Sequence, residues 1–202
     1  MGVKANRGRR WLLEEEESLP LGEGLLLHVC CAPCSAGSLR RLCELFSVTM
    51  FFSNSNIHPA EEFRRRLDAA RILALSLEIP MMEAPYNPQG WAAAIRGSED
   101  AAEGGERCSA CIALRLRETA RHAKEHRFPL FASTLTISPR KKPLLVNRAG
   151  EIAGREFGVR FLRCDLKKNE GFLESVRVSH DLNLYRQDYC GCRHSIPDEP
   201  DR

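Results

Sequence analysis

The sequence predicts an α/β protein with a mostly parallel sheet of about five strands flanked by helices. Short runs rich in apolar, β-branched or aromatic residues alternate along the chain with longer stretches of helical periodicity. This alternation is what right-handed βαβ crossovers require. With 202 residues, 43% hydrophobic and 28% charged, the chain has the size and composition of one globular domain.

The elements follow in order. The continuous apolar run 25–29 reads as a buried strand, and the segment CCAPC after it as a tight loop. A helix is expected to open near Ser35 as its N-cap, with Leu39, Leu42 and Leu45 on one face and Cys43 serving as a small apolar residue. Residues 48–52 form a second strand, and Asn54, Asn56 and Pro59 mark a loop. The stretch 61–77 is an amphipathic helix with Phe63, Leu67, Ala70 and Ala74 inward, followed by a short strand at 79–82 and a minor helix at 91–95. After the turn Glu103-Gly104-Gly105-Glu106, Ile112, Leu116, Ala120 and Ala123 define a long helix over 109–126. A strand at 129–131, a polar loop at 133–139 and a helix at 143–157 stopped by Gly158 come next. Residues 159–162 are the last strand, and 171–182 the last long helix. Residues 1–22 lack periodicity and carry an acidic run from Glu14 to Glu17. They predict a mobile or loosely docked extension ahead of a single domain at 23–202.

No apolar run is long enough to span a bilayer, and the basic N-terminus lacks the apolar stretch of an export signal, so a cytoplasmic protein is expected. A net charge of +3 does not announce a nucleic-acid binder. Any RNA contact must come from local clusters: Arg64-Arg65-Arg66, Arg140-Lys141-Lys142 or Lys167-Lys168, each of which also reads as an ordinary solvated surface. Pro139 and Pro143 keep the second cluster off a regular helix, which makes it the better RNA candidate. Neither a GxGxxG nor a phosphate-loop motif occurs.

Nine cysteines, an odd number, argue against a disulfide framework. Cys30, Cys31 and Cys34 form CCxxC, Cys108 and Cys111 form CxxC, and Cys190 and Cys192 form CxC, while Cys43 and Cys164 stand alone and read as free thiols. Thiolates converging on one centre bind either zinc or an iron–sulfur cluster, and spacing leaves both open. Adjacent cysteines reach two irons of a cluster more easily than one small ion. A CxC pair is either a ligand pair or a strained, easily reduced disulfide, and the chemistry of the motif does not choose. In parallel sheets, sites gather at the carboxyl ends of the strands. The first cysteines follow the first strand, and loops 53–58, 133–139 and 163–168 should open on the same edge, which brings in His58 and Asp165. His28 is either a satisfied core histidine or a site residue.

Together, LLLHVCCAPCS at 25–35, FFSNSNIHPAEEFRRRL at 51–67, EGGERCSACIALRLRETA at 103–120, TLTISPRKK at 134–142, FLRCDLKKNEGFLESV at 161–176 and YRQDYCGCRHS at 185–195 resemble the QueH family of epoxyqueuosine reductases. Departures are small: FFSNSNI stands where FYNPNI is usual, and DLKK where DFKK is usual. The resemblance implies a fold similar to the adenine-nucleotide α-hydrolase (HUP/Rossmann-like) group. It implies a [4Fe–4S] cluster on Cys30, Cys31, Cys108 and Cys111, and a redox-active pair in Cys190 and Cys192. It also implies an additional mononuclear iron, for which Cys34 and Asp165 are the candidates. The substrate implied is tRNA carrying epoxyqueuosine, reduced with electrons from a donor that the sequence does not identify; Arg140, Lys141 and Lys142 are the candidates for meeting its phosphates. Opening an epoxide to an alkene and water takes two electrons and two protons, and a dithiol supplements a cluster that passes one electron at a time. His28 and Tyr189 are candidate proton donors.

Overall fold

The computed structural model describes residues 9–14 and 18–196. Five strands form one wholly parallel sheet in the order β3-β2-β1-β4-β5. They are β1 (Gly24–His28), β2 (Ser47–Phe52), β3 (Met81–Glu83), β4 (Leu130–Ser133) and β5 (Arg160–Phe161). The chain builds outward from β1 to β3, then crosses back to place β4 on the other side of β1. Strand order therefore reverses between β1 and β4, the crevice where open α/β sheets bind ligands.

Among the described residues six α-helices flank the sheet: α1 (Ala32–Cys43), α2 (Ala60–Ser76), α3 (Pro88–Ala94), α4 (Glu106–Glu125), α5 (Pro143–Phe157) and α6 (Gly171–Asp181). Period-two alternation assigns the strand side chains to two layers. Leu25, Leu27, Met50, Phe52, Leu130 and Ala132 join Leu39 and Leu42 of α1 and Leu73 of α2 in one core. Leu26, Phe51 and Phe131 face the other way, onto Leu116 and Ala120 of α4 and Val146 of α5. A strand buried on both faces has to be apolar throughout, which is why residues 25–27 do not alternate with polar ones.

Four expectations are corrected. The helix after the first cysteines begins at Ala32 with Cys31 at its N-cap, and Pro33 suits the first turn. Ser35 lies inside the helix, its hydroxyl donating to the Cys31 carbonyl at 2.8 Å. The stretch 133–139 is not an open polar loop: Thr134–Ile137 is a buried 3₁₀ turn capped by the Ser133 hydroxyl, which accepts from the Leu135 amide at 3.2 Å. Cys43, at the end of α1, is exposed instead of packed. The predicted extension is docked where it is described: Trp11, Leu12 and Leu19 enter the core, and Leu12 makes an antiparallel bridge to Cys164. An aromatic ring and two leucines bury enough apolar surface to hold a segment that periodicity alone could not place. Residues 1–8 and 15–17, also part of that expectation, lie outside the described residues.

Candidate active site

A cavity of about 190 Å³ opens at the switch point, lined in part by Cys30, Cys31, Cys34, Lys141, Gln187 and Cys190. Cys30 follows β1 after Val29, and its amide donates to the Thr134 hydroxyl at 3.3 Å across the break in strand order. Within CCxxC the three thiols are close enough to shift one another's ionisation. Donation to Cys31 and burial push the Cys30 thiol up. Cys34, accepting from Cys31, is pulled below its ordinary value in spite of burial, with Arg186 and Lys141 adding to the pull. Gln187, for which the sequence carried no signal, donates its amide to Cys31 Sγ at 2.8 Å.

The second motif enters from α4. Helical spacing i, i+3, i+7 aligns Cys108, Cys111 and Arg115 on one face. The Gly104 amide donates to Cys108 Sγ at 3.2 Å at the helix start, beside Arg140 and Lys141. Burial pushes the Cys111 thiol up, against the pull of Arg115. Arg115 is the residue that reading by motif overlooked, although its spacing from the CxxC was visible. It is only 2% exposed, and Nη1 lies 3.5 Å from Cys30 Sγ and 3.4 Å from Asn54 Oδ1. No carboxylate pairs with it among the described residues. Burial opposes its charge, and the thiols of Cys111, Cys30 and Cys190 outweigh that to hold it above its ordinary value. A buried guanidinium with only an amide oxygen, a backbone carbonyl and sulfur around it, and no carboxylate, is favoured by negative charge on that sulfur.

The third motif is laid over this pocket by the chain after α6. Arg66, counted by sequence in a solvated basic cluster, is 1% exposed and paired to Glu62 at 2.6 Å. Its guanidinium donates to the carbonyls of Cys190 and Tyr189, both at 3.2 Å, and lies 5.0 Å from the Tyr189 ring centroid. Gly191 sits at φ +117°, where a Cβ would come 2.9 Å from Arg66 Nη1, so only glycine fits. Its carbonyl accepts from the His58 amide at 2.7 Å, and the Tyr189 hydroxyl bonds the His58 carbonyl. His58 thus meets this segment through its backbone. The result is two unlike sulfurs. Cys190 lines the cavity with Sγ 3.2 Å from Lys141 Nζ, whereas Cys192 is buried against Trp91, Ile95 and Cys111.

Lys141 is turned inward to the thiols, while its neighbours Arg140 and Lys142 are exposed. Asp165 does not line the cavity with Cys34. Its amide donates to the Trp11 carbonyl at 2.7 Å, and its Oδ1 is buried without a hydrogen-bond partner among the described residues. Cys164, read as a free core thiol, is fully buried, with its backbone amide and carbonyl both bonded to the Asn147 side chain at 3.1 and 3.0 Å. His28 is a satisfied core histidine. The Ser53 carbonyl can only accept from Nε2 (3.2 Å), so Nδ1 accepts from the Ser133 hydroxyl at 2.9 Å. Burial lowers its pKa to about 3, so it is neutral near pH 7 and has no acid proton to give.

Among the described residues, no three His, Cys, Asp or Glu side chains converge on a single-ion position. One ion draws its sulfurs to about 2.3 Å of a point. A four-iron cluster takes one thiolate per iron and spreads them apart. Thiols from two elements around a buried, carboxylate-free arginine fit the second requirement.

A wholly parallel sheet thus gathers three cysteine motifs at its switch point, and the class is α/β. Residues 25–198 match the family described as epoxyqueuosine reductase QueH, and the chain belongs to that family. The QueH of Streptococcus pyogenes serotype M1 is 39% identical over 174 residues, spanning 83% of this chain and 68% of that protein. The QueH of Thermotoga maritima is 33% identical over 175 residues, spanning 85% and 90%. In fold, the chain is similar to the U34-tRNA thiolase NcsA from Methanococcus maripaludis, solved with its [4Fe–4S] cluster. The TM-score is 0.55 at 11% identity, covering 91% of this chain and 64% of that one.

Proposed function

We propose that this protein reduces epoxyqueuosine in tRNA to queuosine, in the cytoplasm, with a [4Fe–4S] cluster on Cys30, Cys31, Cys108 and Cys111 and a redox pair in Cys190 and Cys192. The observation that carries the reading is the gathering of three distant cysteine motifs around Arg115 and Lys141 at the switch point. Membership of a family named for this reduction supports the substrate, and the cluster in the thiolase of similar fold supports the cofactor.

The cluster would supply single electrons of low potential. Arg115 offsets the negative charge that four thiolates and reduction bring to a buried site. Cys190 and Cys192 hold two further electrons as a dithiol, so that the epoxide, two electrons and two protons give the alkene and water. Arg140 and Lys142, exposed beside the cavity, offer cations to the anticodon-loop phosphates. A further mononuclear iron finds no shared position at Cys34 and Asp165, since Asp165 does not line the cavity with Cys34.

Anaerobic reconstitution tests the reading. About four irons with matching acid-labile sulfide per chain are expected, with turnover of epoxyqueuosine-containing RNA under a low-potential donor. Stoichiometric zinc without sulfide overturns the cofactor, and no turnover by the loaded protein overturns the activity.

A further inference from the structure

The two sulfurs of the CxC pair do not stand in equivalent places. Cys190 is half-buried and lines the cavity, with Lys141 Nζ donating to its Sγ at 3.2 Å. Cys192 is 6% exposed, packed on Trp91 and Ile95, and its Sγ lies 3.5 Å from the Ser195 hydroxyl. Among the described residues no cation is hydrogen-bonded to it.

Lys141 is held in that position by more than its own side chain. Its amide donates to the Ser138 carbonyl at 3.2 Å. A second lysine, Lys167, clamps the same turn, donating to the Lys141 carbonyl at 2.8 Å and the Ser138 carbonyl at 3.3 Å. The ammonium faces Cys190 and Cys30 across from Arg115. Burial and Arg115 work against its charge, and the two thiols raise it above its ordinary value. A half-buried lysine whose ammonium meets sulfur is well placed to hold charge on that sulfur.

We propose that Lys141 fixes the polarity of the pair: Cys190 is the sulfur that exchanges with external thiols and disulfides, and Cys192 is the one that closes and opens the internal bridge. The proposal rests on the redox reading of CxC given above and adds a direction to it. Thiolates, not thiols, are the nucleophiles, and exchange goes through the sulfur that is accessible and beside positive charge. On oxidation, Cys190 as thiolate and Cys192 as thiol form an S–S bond and give up two electrons and one proton, and the epoxide takes these with a second proton from solvent to give the alkene and water. On reduction by a small dithiol, one external thiolate attacks Cys190, the S–S bond breaks, and Cys192 leaves with a proton taken up from solvent. The second external thiolate then attacks the first external sulfur, releasing a closed external disulfide and the Cys190 thiolate beside Lys141.

The test is limited alkylation of the anaerobically purified, dithiol-reduced full chain with iodoacetamide, read by peptide mapping. Cys190 should react about tenfold faster than Cys192, because reactive thiols sit in electropositive, partly exposed surroundings and buried ones are inert. Lys141→Met should slow Cys190 by about the same factor and leave Cys192 unchanged, while Lys141→Arg should keep most of the rate. A merely structural lysine would not divide its two variants in this way. In a second measurement, Cys192→Ser treated with an oxidised small-molecule disulfide should carry a mixed disulfide at Cys190, and Cys190→Ser should carry none at Cys192. This arm decides the polarity even if Lys141→Met does not fold. Equal rates at the two cysteines, an unaltered Cys190 rate in Lys141→Met, or trapping at Cys192 would each overturn the proposal. Iron and sulfide counted on the same samples read the cluster separately: absent iron with the Cys190 preference intact sinks the cluster and leaves the polarity standing.

Discussion

The first and third cysteine motifs meet in one cavity but are held there by different means. Cys30 and Cys31 sit between β1, whose Leu25, Leu26 and Leu27 are wholly buried, and α1, whose inner face is part of the same core. Displacing them means displacing the sheet. Cys190 and Cys192 lie on a segment with no strand or α-helix of its own, fixed by Arg66, the His58 backbone and Lys141. One site inherits its position from close packing, the other from a few polar contacts. A cluster needs the first kind of support, because its ligands have to stay put. A pair that must form and break a bond can use the second.

The strongest way to break this comparison is to remove a thiol from the packed region. Cys30→Ala or Cys111→Ala should reduce iron from about four per chain to below one and abolish turnover, as metal analysis and a single-turnover assay would register. The Cys190→Ser, Cys192→Ser double variant should keep iron, sulfide and visible spectrum while losing turnover. Loss of the cluster in that double variant would make the third motif ligating and erase the distinction between the regions.

Weaker, but closer to the point, is Arg66→Met. It leaves Glu62 buried without its cation and the carbonyls of Tyr189 and Cys190 without a donor. Breaking a buried pair in this way costs about 3–5 kcal/mol. Because Glu62 also accepts from the Tyr185 hydroxyl at 2.7 Å, the loss should fall on the segment from Tyr185 to Cys192 first. Hydrogen exchange should rise there while the strands stay protected. A uniform rise across the sheet would mean that the C-terminal segment is part of the cooperative core.

The same division explains what the sequence disclosed. Apolar runs fix strands and helices because burial on two faces leaves a continuous pattern, and so the sheet, its parallel connections and the position of Cys30 at a strand end were legible. The convergence of CxxC and CxC on that end was implied by family resemblance and not by spacing, since it depends on contacts between residues far apart in the chain. Arg66 and Arg115 were read wrongly or missed because a basic residue on an amphipathic helix is usually solvated. Arg66 stands four residues after Glu62 on the inward stripe of α2, and Arg115 four after Cys111, so helical spacing carried both signals. Gln187 and the docking of Trp11 left no such trace: each depends on where an irregular segment lands.

The smallest expected effect separates two roles inside one three-residue basic run. Arg140 and Lys142 are exposed beside the cavity, and Arg140 lies 3.9 Å from Glu103, an exposed pairing of little energetic weight. Each cation that neutralises an RNA phosphate contributes about 0.7–0.9 to the slope of log affinity against log salt. The Arg140→Gln, Lys142→Gln double variant should therefore bind tRNA roughly three- to tenfold more weakly near physiological salt and show a slope shallower by about 1.5. Its iron content and the alkylation rate of Cys190 should not move. Lys141→Gln should do the reverse, leaving the salt slope alone and slowing alkylation at Cys190, because its ammonium faces sulfur and not solvent. Were Lys141→Gln to flatten the salt slope as much as the double variant, the lysine would have to leave Cys190 when RNA binds. The run would then be one phosphate-binding loop, and the thiol contact at 3.2 Å a feature of the RNA-free protein alone.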